Sequence, residues 1–104
     1  MKKKILLIHT GGTIGMTKDL ESGVLKPDRF YESLVNVIPE LYDIAEVEVE
    51  IPFIMDSSEL DISHWRQIAA LIKKKIDSIN GVVITHGTDT LAYTASALSY
   101  MLMN

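Results

Sequence analysis

Cysteine is absent from this chain, which excludes disulfides and thiolate metal sites and fits a reducing compartment. Long apolar runs are missing too. Met1-Lys2-Lys3-Lys4 followed by Ile5–Ile8 imitates the start of a signal peptide, but four apolar residues before His9 are too few for its hydrophobic region. No stretch approaches the length of a membrane span. Positive charge is in short supply: 10 basic side chains face 14 acidic ones, for a net charge of −4. Without a basic stripe, nucleic acid is not expected as a partner. These absences leave a cytoplasmic, membrane-free protein as the expectation. At 104 residues, 47% hydrophobic and 23% charged, the chain has material for one small globular domain.

What is present is organised around Ile5-Leu6-Leu7-Ile8-His9-Thr10-Gly11-Gly12-Thr13-Ile14-Gly15. Four consecutive apolar residues predict a short strand buried on both faces. The two glycines that stop it permit a sharp turn or the close approach of a ligand. Thr13 then places a hydroxyl at the carboxyl end of a strand, the edge where open α/β sheets bind ligands. Held there beside a base it is a candidate nucleophile; the plainer reading is a residue that caps the next element. The run is not a Walker phosphate loop, because the Gly-Lys-Ser/Thr ending is missing.

Strand and helix signals alternate along the rest. Met16–Lys26 is polar, carries Gly23, and reads as a loop or short hairpin placed to act as a lid. Pro27-Asp28 opens a helix, with Asp28 as expected N-cap and Phe30, Leu34, Val37 and Ile38 at helical spacing up to Pro39. Ala45–Ile51 alternates strictly, valine and isoleucine against Glu46, Glu48 and Glu50, which predicts a strand near a sheet edge with one wet face. The three glutamates are read as a solvated face rather than a metal site. Asp61 or Ser63 caps a helix to about Ile76, with Trp65, Ile68, Ala69, Ile72 and Ile76 in one stripe. Lys73-Lys74-Lys75 in its last turn complements the helix dipole. After Asn80-Gly81, Val82–Thr85 is expected to be another strand buried on both faces, and Leu91–Met103 a helix.

A βαβαβα order predicts an α/β fold with a three-layer, mostly parallel sheet, right-handed crossovers and helices on both faces. Three polar clusters, Thr10–Thr13, Asp56–Ser58 and Thr85–Asp89, then fall at carboxyl ends of parallel strands and converge on one edge. Thr13 and Thr88 offer hydroxyls there, Asp89 a carboxylate, and Gly11–Gly12 backbone N–H groups suited to an oxyanion. Ser57 and Ser58 with Asp56 suit a small zwitterion, serines toward its carboxylate and Asp56 toward its ammonium. His86 is a candidate general base, beside the plainer reading of a structural histidine next to a glycine turn.

Thr10-Gly11-Gly12-Thr13-Ile14-Gly15 and His86-Gly87-Thr88-Asp89-Thr90 together resemble the two signatures of the bacterial-type L-asparaginases. Met55-Asp56-Ser57-Ser58, the helix of Trp65, and Ala92-Tyr93-Thr94-Ala95-Ser96-Ala97-Leu98-Ser99 resemble the cytoplasmic type I branch in particular. The resemblance covers essentially all 104 residues, and the paired motifs are far more specific than a lone Gly-Gly-Thr. It implies hydrolysis of L-asparagine to L-aspartate and ammonia through a threonine-bound acyl-enzyme, without metal or other cofactor, in a homo-oligomer (dimer or tetramer). It implies Thr13 as nucleophile, with Thr88 and Asp89 as the second hydroxyl–carboxylate pair that activates groups and contacts substrate. Asp56, Ser57 and Ser58 would bind the α-amino and α-carboxylate groups.

Two departures qualify it. Where the family often has a tyrosine after a lid glycine, this chain reads Gly23-Val24-Leu25. The family's catalytic lysine, which pairs with the aspartate of the second motif, belongs to a later segment, as does the C-terminal domain. Apolar residues are spread around most of Leu91–Met103, and a helix of that kind expects partners on more than one side. The chain is therefore expected to be the N-terminal part, residues 1–104, of the asparaginase N-terminal α/β domain of a larger enzyme, and inactive alone. Two alternatives stand beside this reading. One is the amidase-like subunit of the archaeal Glu-tRNA(Gln) amidotransferase, disfavoured because the first strand lies at the initiator region. The other is a non-catalytic fragment that retains only amino-acid binding.

Overall fold

The computed structural model describes residues 2–11 and 26–103. Strand β1, Lys3–His9, is the centre of the sheet, for Leu6 and Ile8 point to one face and Leu7 to the other, and all three are buried. Helix α1, Pro27–Val37, and the single turn α2, Leu41–Ile44, lead to strand β2, Ala45–Glu50. A short 3-10 turn, Ser57–Glu59, precedes helix α3, Ile62–Lys75, whose chain runs through a second 3-10 turn at Ile76–Ser78. Strand β3, Gly81–Thr85, and helix α4, Leu91–Met101, complete the described elements.

The three described strands form a parallel sheet in the order β2-β1-β3. Lys3 stands opposite Ala45 in one ladder and Ile5 opposite Gly81 in the other. Asn80 extends the second ladder, its N–H donating to the Lys4 carbonyl at 2.7 Å while its side-chain oxygen accepts from the Lys4 N–H at 2.8 Å. Helices cover both faces. Leu6 and Ile8 pack with Ile68, Ala69, Ile72 and Leu98 of α3 and α4, and Leu7 packs with Phe30 and Leu34 of α1. This is the three-layer α/β arrangement expected from the alternating pattern.

The layers are offset rather than stacked squarely. On the Leu7 face, α1 lies over β1 and β2, meeting Val47, Val49 and Ile51. It does not reach β3, so Val83, opposite Leu7 in the register, is 49% exposed. The expectation that β3 is buried on both faces is corrected by this offset. On the other face the position is reversed. Glu48 and Glu50 of β2, opposite Leu6 and Ile8, lie beyond the apolar cover, and Lys75 at the end of α3 pairs with both at 2.7 and 3.2 Å. The glutamate face is thus wet, as its alternation implies, with one lysine drawn across it.

Three smaller boundaries also differ from the pattern. The N-cap of α1 is Lys26 and Pro27 occupies the first helical turn, so Asp28 lies inside the helix, where its carboxylate favours the positive end of the helix dipole. Ile76 has left the helical stripe and is 55% exposed in the second 3-10 turn. Helix α4 ends at Met101 rather than Met103. Helix α3 begins where the sequence places it, with the Asp61 carboxylate accepting from the N–H groups of Ser63 and His64. Among the described residues no helix is long and apolar enough to cross a membrane.

Phe30 is fully buried between α1 and the sheet. Phe30→Ala should lower stability by about 3–5 kcal/mol, whereas Val83→Thr, on the uncovered face, should stay within about 0.5 kcal/mol. Urea unfolding of the two variants beside the parent chain checks the contrast.

Candidate active site

The carboxyl end of β1 is tied to both neighbouring segments by main-chain hydrogen bonds. The Thr10 N–H and hydroxyl both donate to the Thr85 carbonyl at the end of β3, at 3.0 and 2.9 Å. In the other direction the Thr10 carbonyl accepts from the Met55 N–H at 3.0 Å, which pins the segment after β2. Gly11 follows with φ +131°, a backbone conformation that side chains rarely adopt. A Cβ placed on it would stand 2.4 Å from the Met55 carbonyl oxygen. Glycine is required here on both counts.

The second and third clusters meet next to this turn. Gly87 lies so close to the 3-10 turn that a Cβ on it would be 3.0 Å from Ser57 Oγ and 3.1 Å from Ser57 Cβ. The Thr90 hydroxyl donates to the Ser57 carbonyl at 2.7 Å. Ser57 is consequently buried, while Asp56 and Ser58 on either side of it are exposed. Asp56 accepts from the Ser58 N–H at 3.0 Å and from the Ser58 hydroxyl at 2.9 Å. Those bonds hold its carboxyl below the usual carboxylate range. Thr88 and Asp89 are both exposed at the same edge.

The structure therefore brings together Thr10, Gly11, Asp56, Ser57, Ser58 and the Thr85–Thr90 turn. Thr13, Gly12 and the expected lid, including Gly23-Val24-Leu25, lie outside the described residues. His86 is engaged: its Nδ1 lies 2.5 Å from the Gly87 carbonyl oxygen and its Nε2 is 2.8 Å from the Thr94 hydroxyl. Among the described residues no cluster of three or more histidine or carboxylate groups is arranged to hold a metal ion.

Two groups with a hand in the site escape a reading by pattern. His9 is buried, stacks on Phe30 at 4.2 Å between ring centroids, and lies 2.6 Å from the Thr85 hydroxyl through Nδ1. It links α1 to the turn that carries Thr10. Trp65 has the spacing of an apolar stripe, yet its indole N–H donates to the Thr94 hydroxyl at 2.9 Å. The signal for the second was chemical, since an indole N–H drawn away from water needs an acceptor.

Gly11→Ala adds both backbone strain and a clash with a main-chain oxygen. It should destabilise the chain by about 2 kcal/mol or more, measurable as a lower urea midpoint. Burial pushes the His9 imidazole below its ordinary value of 6.5. The unfolded chain thus binds a proton more readily at this position than the folded one, and stability contributed by neutral His9 is lost as pH falls below about 6.5. Urea midpoints compared at pH 7.5 and 5.5 should show that loss, and His9→Gln should show less of it.

The chain is similar to known proteins. The family model "Asparaginase, N-terminal" matches residues 4–104. The structure is similar to L-asparaginase I from Vibrio cholerae O1 biovar eltor (37% identity, TM-score 0.74, 96% of this chain and 30% of that one). It is also similar to a probable cytoplasmic L-asparaginase from Campylobacter jejuni (34%, TM-score 0.73, 93% and 28%). Among curated proteins, a Glutamyl-tRNA(Gln) amidotransferase subunit of Saccharolobus islandicus is 44% identical over 97% of this chain and 23% of that protein. The corresponding amidotransferase subunit from Pyrococcus furiosus is 43% identical over 96% and 23%. The chain thus spans about a quarter of the length of the curated relatives it matches. Matched from Lys4 to its last residue by one family model, the chain belongs to the asparaginase N-terminal domain family.

Proposed function

We propose that this chain is the N-terminal part, residues 1–104, of a cytoplasmic, homo-oligomeric amidohydrolase that converts L-asparagine to L-aspartate and ammonia. One observation carries the reading: the Thr10–Gly11 turn is bonded to both Met55 and Thr85, so the three polar clusters share one sheet edge. In the reaction, Thr13 Oγ attacks the side-chain amide carbon of asparagine. N–H groups of the Gly11–Gly12 segment stabilise the oxyanion that forms. The carbon–nitrogen bond breaks, ammonia leaves carrying the proton given up by the Thr13 hydroxyl, and an aspartyl ester remains on Thr13. Water then cleaves the ester and regenerates the hydroxyl.

The other residues take the roles that the asparaginase resemblance gives them. Thr88 and Asp89 orient and activate the reacting groups, with Asp89 completed by a lysine carried beyond Asn104. Asp56 holds the α-ammonium, and Ser57 and Ser58 face the α-carboxylate. The place of Asp56 beside Ser57, against the turn of Gly87 and Thr90, supports its part in this scheme.

A second reading is favoured by the curated relatives, which are Glutamyl-tRNA(Gln) amidotransferase subunits at 43–44% identity. In that reading the same Thr13 chemistry serves a larger assembly acting on Glu-tRNA(Gln). Hydrolysis of free asparagine by the longer protein without any partner separates the two.

In that longer protein, Thr13→Ala should abolish ammonia release, and Asp89→Asn should lower turnover sharply and alter the pH–rate profile. Activity of Thr13→Ala within tenfold of the parent, about 1.4 kcal/mol of transition-state stabilisation, would overturn Thr13 as nucleophile. The 104-residue chain alone should release little or no ammonia and should self-associate in light scattering, because α4 exposes Tyr93, Tyr100 and Leu91.

A further inference from the structure

The side chains of Trp65, Thr94 and His86 form a single hydrogen-bonded row that starts on α3, crosses α4 and ends at the glycine turn after β3. Its two ends determine its direction. The indole N–H of Trp65 only donates, so the Thr94 oxygen must accept from it at 2.9 Å. The Gly87 carbonyl only accepts, so His86 Nδ1 must carry a proton toward it. Between these ends the Thr94 hydroxyl and His86 Nε2 lie 2.8 Å apart. With its lone pair facing the indole, the hydroxyl has its own hydrogen free to donate to Nε2. Each contact in the row then has a donor and an acceptor, with the ring carrying its proton on Nδ1. Thr94 is 3% exposed, so water has little access to replace either partner.

We propose that His86, held by Thr94 and Trp65, is a positioning residue that locks the Gly87–Thr88 peptide and so fixes how Thr88 and Asp89 are presented at the sheet edge. A trans peptide is planar, so holding the Gly87 carbonyl toward the His86 ring turns the Thr88 N–H to the opposite side. The same turn is braced from below by Ser57, which fills the space of a Gly87 side chain and receives the Thr90 hydroxyl. A glycine without such bracing would sample several peptide orientations. The row thus trades one buried hydroxyl, Thr94, and one half-buried indole, Trp65, for one defined orientation in a loop. The lock follows from hydrogen bonds alone; the catalytic value of Thr88 and Asp89 rests on the function proposed above.

The test uses the 104-residue chain labelled with nitrogen-15 and three variants. Thr94→Val keeps the shape and removes the hydroxyl, Thr94→Ser restores it, and Trp65→Phe removes the donor at the far end. In the parent and in Thr94→Ser, long-range proton–nitrogen correlations should show the His86 proton on Nδ1. In Thr94→Val that tautomer should lose its dominance, and the Thr88 and Asp89 amide resonances should move while those of Leu6–Ile8 stay. Trp65→Phe should produce a smaller displacement of the same resonances. A parent ring protonated on Nε2, or Thr94→Val with Thr88 and Asp89 unmoved, would overturn the proposal. If Thr94→Val loses the β1 resonances through unfolding, the comparison of Trp65→Phe with Thr94→Ser decides by the same criteria. In the longer protein Thr94→Val should lower kcat with little change in KM, and Thr94→Ser should recover it; unchanged kcat overturns the positioning role. A parent that shows the lock yet hydrolyses no amide supports the lock and overturns the function proposed above.

Discussion

The closest constraint in this molecule is the absence of a single methyl group. At Gly11 the chain leaves the central strand with a backbone angle that side chains avoid, and the Met55 carbonyl occupies the room a Cβ would need. The main-chain bonds of Thr10 to Met55 and Thr85 are made at this point, so strand end, post-β2 segment and post-β3 turn share one anchor. Gly87 repeats the device against Ser57 at slightly greater distance. Both glycines are places where one loop lies directly on another. Both belong to the motifs that carry the asparaginase resemblance. That coincidence gives the motifs a physical content: they are the residues that allow three loops to pack without intervening side chains.

The rest of the fold supports this anchor from beneath. Burial of Leu6, Ile8 and Leu7 on opposite faces makes β1 rigid up to His9. His9 then continues the support by stacking on Phe30 and reaching Thr85, so the helix layer on one side is mechanically continuous with the turn. On the opposite side α3 and α4 carry Trp65 and Thr94, whose hydrogen bonds lead to His86. Each face of the sheet thus sends one histidine to the same edge.

Much of this was legible in the residues, and what was not has identifiable causes. The alternation at Ala45–Glu50 and the helical stripe through Ile68, Ala69 and Ile72 pointed to the layers, because burial on a period of two or 3.6 leaves a direct trace in the sequence. The convergence of Thr10, Asp56–Ser58 and Thr85–Asp89 followed from parallel topology alone. The exposure of Val83 did not, since an apolar run records only that a surface is to be covered and not that α1 stops over β1 and β2. The cap at Lys26 in place of Asp28 shows how proline at the first turn competes with an acidic residue for the same boundary. Trp65 and Thr94 were readable only as apolar stripe and motif member, because pairing between two helices has no short-range signature.

The register of the sheet has a consequence for how the chain acquires its shape. Strand β1 is made before either partner, for one of its ladders is with β2 at Ala45–Glu50 and the other with β3 at Gly81–Thr85. Contacts so distant in sequence carry the loop-closure cost that slows folding of parallel sheets. During synthesis, therefore, the central strand with its apolar run Ile5–Ile8 emerges with neither partner available and waits longest for its second one. Lys2-Lys3-Lys4 places three positive charges directly before Ile5–Ile8, and flanking charges of this kind discourage nascent apolar strands from pairing with one another. The lysines ahead of the apolar run thus acquire a purpose in the interval before the sheet exists.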